Sequence, residues 1–257
     1  MKPKVLIIRT AGTNCDRETE YAFKLSGAQT DLLHINYVKE HKDFSSYQII
    51  CIPGGFSYGD DLGAGKILSL EFGCWLKDQL KGFIERGGLI LGICNGFQVL
   101  VKTGILPDLD FKQKVTLTDN DSAKFEDRWV YLKPEKHGQD KKVRSVWLQD
   151  LPDRISLPVA HGEGKFYADK KVLDKIEEGS QVALRYVDSD SNSCDYPLNP
   201  NGSLNGIAGI TDNSGKVLGL MPHPERCMFK HHLPFWQDRN LEAFGINFFK
   251  NAVTYFK

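Results

Sequence analysis

The chain has 257 residues, which is enough for one large domain or two small ones. Its 33 basic and 33 acidic side chains cancel, and this argues against a non-specific nucleic-acid binder or a polybasic membrane-surface protein. The longest apolar runs, residues 5–8 and 89–94, are far shorter than the ~20 residues of a membrane span or the core of a secretory signal. We therefore expect a cytoplasmic protein that binds neither nucleic acid nor membrane.

The six cysteines are too far apart in sequence for a zinc knuckle or a redox dithiol. Without a secretory signal, the pattern is typical of reduced thiols. We expect no metal in this chain.

The first half of the sequence alternates short apolar runs with amphipathic segments. Buried strands are predicted at residues 4–10, 31–35, 47–53 and 89–94. Helices are predicted at residues 14–27 with Asn14 as the N-cap, at 66–86, and at 95–101. This alternation predicts an α/β fold, with an open, mostly parallel sheet covered by helices on both faces.

The pattern changes after about residue 112. Short β-prone segments recur between turn signals, for example at residues 114–117, 128–132 and 216–221, and these predict added antiparallel strands in the C-terminal half. Residues 135–142 are predicted to be a polar loop, and residues 235–256 an amphipathic C-terminal helix. No repeat, low-complexity tract or linker divides the chain, so one domain spanning residues 1–257 is favoured.

Cys94 stands in the sequence Gly92-Ile-Cys94-Asn-Gly96, where a strand ends and a helix begins. Glycines two residues to either side of a nucleophile are typical of a nucleophile elbow. The helix N-terminus stabilises a thiolate, and the Asn95 amide would point at a developing oxyanion. The alternative is an inert buried cysteine in a glycine-rich turn.

His223 lies in the sequence Met221-Pro-His223-Pro-Glu225-Arg226. The two prolines restrict the backbone, and Glu225 is placed to bind the second imidazole nitrogen. A cysteine nucleophile needs a base, and the base needs a group that orients it. The alternative is an ordinary loop histidine, and Arg226 is as well suited to a structural ion pair as to a functional role.

A glycine-rich loop spans residues 53–65 at the carboxyl end of the third strand. It favours close approach of the backbone to a ligand, as an anion nest or as an oxyanion donor opposite Cys94. A phosphate nest is disfavoured because Asp60 and Asp61 would repel phosphate and the Gly-Lys-Ser/Thr of a P-loop is missing.

Together these segments resemble the class I (triad) glutamine amidotransferases, and among them the glutaminases of phosphoribosylformylglycinamidine synthase. The resemblance covers about residues 4–256. It is carried by the two motifs around Cys94 and His223 and by the sequences Gly55-Phe-Ser-Tyr-Gly-Asp60, His161-Gly-Glu-Gly164 and Asn199-Pro-Asn-Gly-Ser203. It implies a flavodoxin-like fold and a single glutamine amidotransferase type 1 domain over residues 1–257.

The resemblance also implies a role for each matching residue. Cys94 would attack the glutamine carboxamide, His223 would transfer protons, and Glu225 would orient His223. The oxyanion hole would be formed by Gly55 and the amide of Asn95, with Phe56 of the glycine-rich loop as a further donor predicted from the loop itself. Gln98 and Gly54 would lie at the glutamine. His161-Gly-Glu-Gly164 would border the glutamine pocket or a partner; a metal half-site there is the less favoured alternative.

The ammonia would pass to a separate ATP-dependent synthetase that converts formylglycinamide ribonucleotide to formylglycinamidine ribonucleotide in purine biosynthesis. ATP and magnesium would bind to that synthetase, no cofactor would bind to this chain, and a small accessory subunit could join the complex. Phe56, Tyr58 and Asp60 would sense the partner if the glycine-rich loop is a gate; a rigid loop is the alternative. Two stretches of the sequence depart from the free-standing members of the family. Residues 62–65 lack the arginine that some of those members carry there, and the charged stretch at about residues 119–145 is long. Both departures bear on how the chain would dock on its partner.

Two other functions stay open on the sequence alone. The chain is compatible with a glutaminase for another acceptor, or a γ-glutamyl hydrolase of the same fold, although residues 55–60 argue against both. A catalytically silent interaction domain is disfavoured because Cys94, His223 and Glu225 are all present.

Overall fold

The computed structural model describes residues 2–138 and 142–257. Thirteen strands are found within these ranges: β1 (Lys4–Arg9), β2 (Gln29–His34), β3 (Ile49–Ile52), β4 (Leu89–Ile93), β5 (Val115–Thr118), β6 (Glu126–Pro134), β7 (Lys136–His137), β8 (Lys142–Val143), β9 (Ile155–His161), β10 (Lys165–Ala168), β11 (Val182–Val187), β12 (Ile207–Thr211) and β13 (Val217–Leu220). The α-helices are α1 (Asp16–Leu25), α2 (Ile35–His41), α3 (Lys66–Glu71), α4 (Lys77–Glu85), α5 (Asn95–Thr103), α6 (Lys170–Glu178) and α7 (Gly245–Thr254).

Nine of the strands form one sheet in the order β2-β1-β3-β4-β13-β12-β11-β6-β9. The first five are parallel to one another, and the last four continue the sheet in antiparallel fashion from β13. The α/β fold with added antiparallel strands, predicted from the sequence, is thus confirmed. Strands β5 and β10 pair separately, as do β7 and β8.

Burial explains why these segments became strands. In β3, β4 and β13 every residue is buried, as expected for parallel strands covered by helices on both faces. In β9 buried and partly exposed residues alternate along the strand. That period of two is typical of a sheet with one face in the core.

The sheet curls enough for its far edge to return to the centre. Strand β9 is the last strand in the sheet order, yet its Pro158 carbonyl accepts a hydrogen bond from the His223 amide, which follows β13, at 2.9 Å. The Ala160 carbonyl of β9 lies 3.7 Å from Cys94 Sγ, which follows β4. An edge strand has carbonyls free of the ladder, and here two of them face the ends of the parallel strands.

Several predicted helix boundaries were wrong. Asn14 does not cap α1: Cys15 is the N-cap residue, and Asn14 Oδ1 is taken by the Cys15 thiol at 3.2 Å. The predicted helix at residues 66–86 contains a π-helical segment, Phe72–Leu76, between α3 and α4. Residue 35 opens α2, which the sequence analysis did not predict.

The C-terminal helix is shorter than predicted. It begins at Gly245, not at residue 235, because the preceding segment forms separate turns. Phe235 has a positive φ of 58°, and Asp238 accepts the amide of Asn240, a local bond that competes with helix formation. Part of the predicted polar loop at residues 135–142 forms β7 and the start of β8, and residues 139–141 lie outside the described residues. No helix in the described ranges is long and apolar enough to cross a membrane.

Candidate active site

The three sequence motifs follow three neighbouring parallel strands. The glycine-rich loop follows β3, Cys94 follows β4, and the loop with His223 follows β13, and these strands are adjacent in the sheet. The carboxyl ends of parallel strands share one edge of the sheet, where α/β proteins place their sites. Residues from distant parts of the sequence are thereby brought together.

Cys94 has the backbone geometry of a nucleophile elbow. Its φ of 51° and ψ of −105° are unusual for a residue with a side chain, and such strain is common at functional positions. A Cβ on Gly92 would lie 2.6 Å from the Gly96 carbonyl oxygen, and one on Gly96 would lie 1.9 Å from that of Ile52. Both glycines are therefore required for the tight turn between β4 and α5.

His223 and Glu225 form a buried pair beside Cys94. The distance between His223 Nδ1 and Glu225 Oε1 is 2.6 Å. Burial alone lowers the pKa of His223, but the Glu225 carboxylate and, after it, Cys94 outweigh that effect and hold the pKa well above its usual value. His223 Nε2 has no hydrogen-bond partner within the described part of the chain, so this nitrogen is available to Cys94 and to a substrate.

Two amides of the glycine-rich loop, those of Gly55 and Phe56, were predicted as oxyanion donors, and only one of them is free to donate in the described structure. The Phe56 amide donates to the Gly12 carbonyl at 2.9 Å and is engaged in this conformation. The Gly55 amide has no acceptor in the ranges described, and the Asn95 amide is in the first turn of α5, where amides have no partner within the helix. Gly55 and Asn95 are thus the donors this conformation offers.

Gly55 and Gly54 are both positions that only glycine suits. Gly55 has a φ of +140°, and a Cβ there would lie 2.7 Å from the amide nitrogen of Asn14. A Cβ on Gly54 would lie 2.8 Å from His223 Cε1 and 3.4 Å from Cys94 Cβ. Gly54 therefore packs directly against the two candidate catalytic side chains.

Gln98 belongs to a network of polar side chains that the sequence analysis did not foresee. Asn95 Nδ2 donates to Gln98 Oε1 at 3.0 Å and to Asp60 Oδ1 at 3.1 Å. Gln98 Nε2 donates to the Glu163 carbonyl oxygen at 2.6 Å. Burial, with the nearby Glu163 charge adding to it, raises the pKa of Asp60 above its usual value.

Glu163, from His161-Gly-Glu-Gly164, joins the C-terminal half to the glycine-rich loop. Its two carboxylate oxygens accept the Ala64 amide at 3.1 and 3.2 Å, and Lys102 Nζ lies 3.7 Å away. Lys102 also donates to the Ala64 carbonyl at 2.6 Å. The Ala64 peptide is thus held at both ends by side chains from outside its loop.

His161 is a buried neutral imidazole. Burial and the nearby His223 cation lower its pKa to about 4. Its Nδ1 contacts Asn120 Oδ1 at 3.1 Å, and Asn201 Nδ2 lies 3.4 Å from its Nε2. These contacts with amide groups give it a structural environment, and His161 is not part of the cluster of metal-type ligands found in the described residues, which is Cys15, His223 and Glu225.

Two cavities meet at Cys94. One, of about 220 Å³, is lined by Asp60, Gln98 and Glu163 among others. The other, of about 240 Å³, is lined by Cys15, His223 and Arg226. The side chains of Phe56 and Phe125, with ring centroids 6.4 Å apart and both partly exposed, border both cavities.

Comparison with known proteins identifies the family. The profile of the CobB/CobQ-like glutamine amidotransferase domain matches residues 2–256. The phosphoribosylformylglycinamidine synthase subunit PurQ of Dehalococcoides mccartyi is 46% identical over 99% of this chain and 98% of its own. The PurQ protein of Methanococcus maripaludis strain C7 is 42% identical over 99% and 97%. The chain belongs to the PurQ family.

Solved structures agree with this assignment. A chain in the structure of PurLQS from Thermotoga maritima is 31% identical and matches with a TM-score of 0.75 over 100% of both chains. A putative GMP synthase component from Thermoplasma acidophilum, 14% identical with a TM-score of 0.58 over 99% of this chain and 94% of its own, shares the fold. Membership of the PurQ family makes the chain a glutamine amidotransferase subunit of the phosphoribosylformylglycinamidine synthase type, and the resemblance predicted from the motifs is confirmed.

Cys15 was not singled out from the sequence as part of this PurQ-family site, and for Arg226 the sequence left a structural ion pair and a functional role open. Cys15 is buried, and its Sγ lies 3.9 Å from His223 Nδ1. Arg226 Nη2 donates to that sulfur at 3.1 Å. The only sequence signal for Cys15 is its place directly after the glycine-containing turn that follows β1, a neighbouring strand of the same parallel sheet.

Proposed function

We propose that the chain hydrolyses glutamine through a triad of Cys94, His223 and Glu225 and supplies the ammonia to a separate ATP-dependent synthetase. That synthetase would convert formylglycinamide ribonucleotide to formylglycinamidine ribonucleotide. The observation that carries the proposal is the buried His223–Glu225 pair, at 2.6 Å, beside a cysteine on a strained elbow. His223 Nε2, unpartnered among the described residues, is the proton-transfer atom.

In the first chemical stage Cys94 Sγ attacks the carboxamide carbon of glutamine. The carbonyl oxygen becomes an oxyanion, which the Gly55 and Asn95 amides stabilise. His223 then gives its proton to the departing nitrogen, ammonia leaves, and a glutamyl thioester remains on Cys94. The raised pKa of His223 suits this stage, because the imidazolium is the proton donor.

In the second stage water takes the place of ammonia. Neutral His223, held by Glu225, removes a proton from the water as it attacks the thioester. The tetrahedral intermediate uses the same two amides, and glutamate leaves as Cys94 is released. One base thus acts twice, first as a donor and then as an acceptor.

The cavity lined by Asp60, Gln98 and Glu163 is the proposed binding site for glutamine. Its lining includes two carboxylates, which suit the α-ammonium group of an amino acid. Asp60 is oriented by its bond from Asn95 Nδ2, and Gln98 is held between Asn95 and the Glu163 carbonyl. Gln98 therefore borders glutamine with a fixed side chain, and Gly54 leaves room for the reacting carboxamide.

Residues 1–257 would act as one domain that docks on the synthetase and on a small accessory subunit in the cytoplasm, with ATP and magnesium bound to the synthetase. The similar Thermotoga maritima chain comes from a structure of PurLQS, which supports such a complex. Phe56, which is 43% exposed at the mouth of the site, is the loop side chain best placed to contact a partner. Tyr58 donates instead to Glu71 Oε2 at 2.6 Å.

The experiment is a comparison of two nitrogen sources in the assembled complex. Cys94→Ala should abolish formation of formylglycinamidine ribonucleotide from glutamine while ammonium salts still support it, because the cysteine only generates ammonia. Cys74→Ala, at an exposed position on the π-helical segment, is the matched control and should retain both activities. Glutamine-driven synthesis by the Cys94→Ala complex would refute the proposed nucleophile.

A further inference from the structure

A second buried cysteine shares the cavity of Cys94, and the proposed hydrolysis does not use it. Cys15 is 1% exposed, and both cysteines line the cavity of about 240 Å³ beside His223. Cys15 Sγ accepts a hydrogen bond from Arg226 Nη2 at 3.1 Å and lies 3.9 Å from His223 Nδ1. Cys15 therefore combines a cationic hydrogen-bond partner with a position in the same cavity as the candidate nucleophile.

The surroundings of Gly54 set an upper limit on the distance between the two cysteines. The position that a Cβ on Gly54 would occupy is 3.2 Å from Cys15 Sγ and 3.4 Å from Cys94 Cβ. Cys15 Sγ and Cys94 Cβ are therefore separated by less than the sum of these two distances. Because Gly54 has no side chain, no atom larger than hydrogen extends from it between them. A disulfide needs a Cβ–Cβ separation of about 3.5–4.5 Å. Because the backbone sets that separation, forming the bond would require a movement of the backbone as well as rotation of the two side chains.

We propose that Cys15 is a resolving thiol that captures Cys94 after oxidation by a peroxide and stores it as a reversible Cys15–Cys94 disulfide. The inference rests on the proposed role of Cys94 as a nucleophile. It adds a modification site, with hydroperoxides as the chemical class of oxidant, to a glutamine-hydrolysing centre.

The chemistry balances in two steps. The Cys94 thiolate attacks one oxygen of the peroxide, the O–O bond breaks, and with one proton the products are a Cys94 sulfenic acid and water or an alcohol. The Cys15 sulfur then attacks the Cys94 sulfur, the S–S bond forms, and the S–O bond breaks. Hydroxide leaves with the proton of the Cys15 thiol as water. Two electrons pass from the two cysteines to the peroxide.

Cys15 differs from the other cysteines in its position relative to Cys94. Burial raises the pKa of Cys15 above its usual value, so Cys15 rests as a thiol and must lose its proton as its sulfur attacks. Cys51 is fully buried within β3, Cys227 Sγ contacts the Ser156 carbonyl at 3.6 Å, and Cys74 and Cys194 do not line this cavity. Arg226 would stabilise negative charge on the Cys15 sulfur as it attacks.

The disulfide would inactivate the site and protect it. A bond to Cys15 withdraws Cys94 Sγ from attack on glutamine, and it also prevents further oxidation of the sulfenic acid to a sulfinic acid, which thiols do not reverse. After prolonged exposure to peroxide, the loss of activity should therefore be recoverable with a dithiol only while Cys15 is present.

The test treats the full chain with hydrogen peroxide and maps it by trypsin digestion without reduction. Cleavage after lysine and arginine places each of the six cysteines in its own peptide, with Cys15 in residues 10–17 and Cys94 in residues 87–102. The wild type should yield these two peptides joined, with a mass two hydrogens below their sum, and dithiothreitol should separate them. A wild type with Cys94 oxidised but no such linked pair overturns the proposal.

Variants sharpen the result. In Cys15→Ser, dimedone should label Cys94 as a sulfenic acid, and prolonged peroxide should give a sulfinic acid whose inactivation dithiothreitol does not reverse. Cys74→Ser, the exposed control, should behave as the wild type. Equal recovery in Cys15→Ser and the wild type after prolonged peroxide would refute a resolving role. If Cys15→Ser does not fold, Cys15→Ala is substituted, and the wild-type linkage map decides by itself.

The mass readout does not depend on glutamine hydrolysis. If alkylation of Cys94 abolishes hydrolysis but no linked peptide forms, the resolving role of Cys15 fails and the triad stands. If the peptides link but Cys94→Ala still hydrolyses glutamine, the triad fails and the redox pair stands.

Discussion

The parallel and antiparallel halves of the sheet contribute to the site in different ways. The parallel half supplies the candidate catalytic groups, since Cys94 directly follows β4 and His223 lies in the loop that follows β13. The antiparallel half supplies the supports: the Pro158 carbonyl fixes the His223 amide, and Glu163 fixes the Ala64 peptide. The candidate catalytic groups and the groups that position them thus come from different halves of one sheet. Substitutions in the parallel half should therefore slow the chemical step, whereas substitutions in the antiparallel half should change stability or positioning.

The largest effect is expected in the parallel half. His223→Asn should lower single-turnover formation of the glutamyl thioester by about 10²–10⁴, because the leaving nitrogen loses its acid. Glu225→Gln keeps the shape of the pair and should cost less. Rapid-quench measurement of the thioester checks both variants. A larger loss in Glu225→Gln than in His223→Asn would contradict the roles given to them.

The second prediction concerns stability and belongs to the antiparallel half. The pKa of His161 is about 4 in the folded chain and near 6.5 when unfolded, so between these values the unfolded chain binds more protons. The free energy of unfolding should therefore fall as the pH drops from 6.5 to 4, by up to about 3 kcal/mol from this residue.

His161→Gln removes that titration. Its free energy of unfolding, measured with urea across the same range, should depend less steeply on pH than that of the wild type. His34→Gln, the same substitution at a partly exposed position outside the site, is the control. Equal slopes for His161→Gln and the wild type would show that His161 is not held neutral.

A smaller effect is expected where the two halves meet. Glu163→Ala removes the acceptor of the Ala64 amide and should lower kcat/KM for glutamine by about tenfold, since bonds to a charged group are worth about 1.5–3 kcal/mol. Glu163→Gln keeps an oxygen acceptor and should lose less. Glu178→Ala, at the end of α6 and away from the site, is the control. Steady-state glutamate release measures all three variants. Equal kcat/KM in Glu163→Ala and the wild type would show that the contact between Glu163 and Ala64 does not support glutamine hydrolysis.

The parallel half was also the easier half to predict. Continuous apolar runs marked β1, β3 and β4, and glycines flanking Cys94 marked the turn that follows. These are local signals, since steric limits on a strained turn act within a few residues. The candidate nucleophile, base and orienting carboxylate were therefore all recognisable, and the structure brings them together at one edge of the sheet.

The supports were not predictable because they are contacts between distant segments. Nothing near Glu163 indicates that its carboxylate binds Ala64, which is 99 residues away in sequence. The return of β9 over the site depends on the curl of the whole sheet. The Phe56 amide was predicted as an oxyanion donor from its loop alone, and its bond to the Gly12 carbonyl became visible only with the fold.

The most direct test of the central claim is covalent labelling with a chloroketone analogue of glutamine, followed by peptide mapping. The proposed triad predicts one label on the chain, on Cys94 in residues 87–102, with glutamine slowing the reaction and His223→Asn suppressing it. Among the six cysteines, Cys15 is the informative competitor because it lies in the same cavity. A label on residues 10–17, or labelling of Cys94 that glutamine does not slow, would contradict the account.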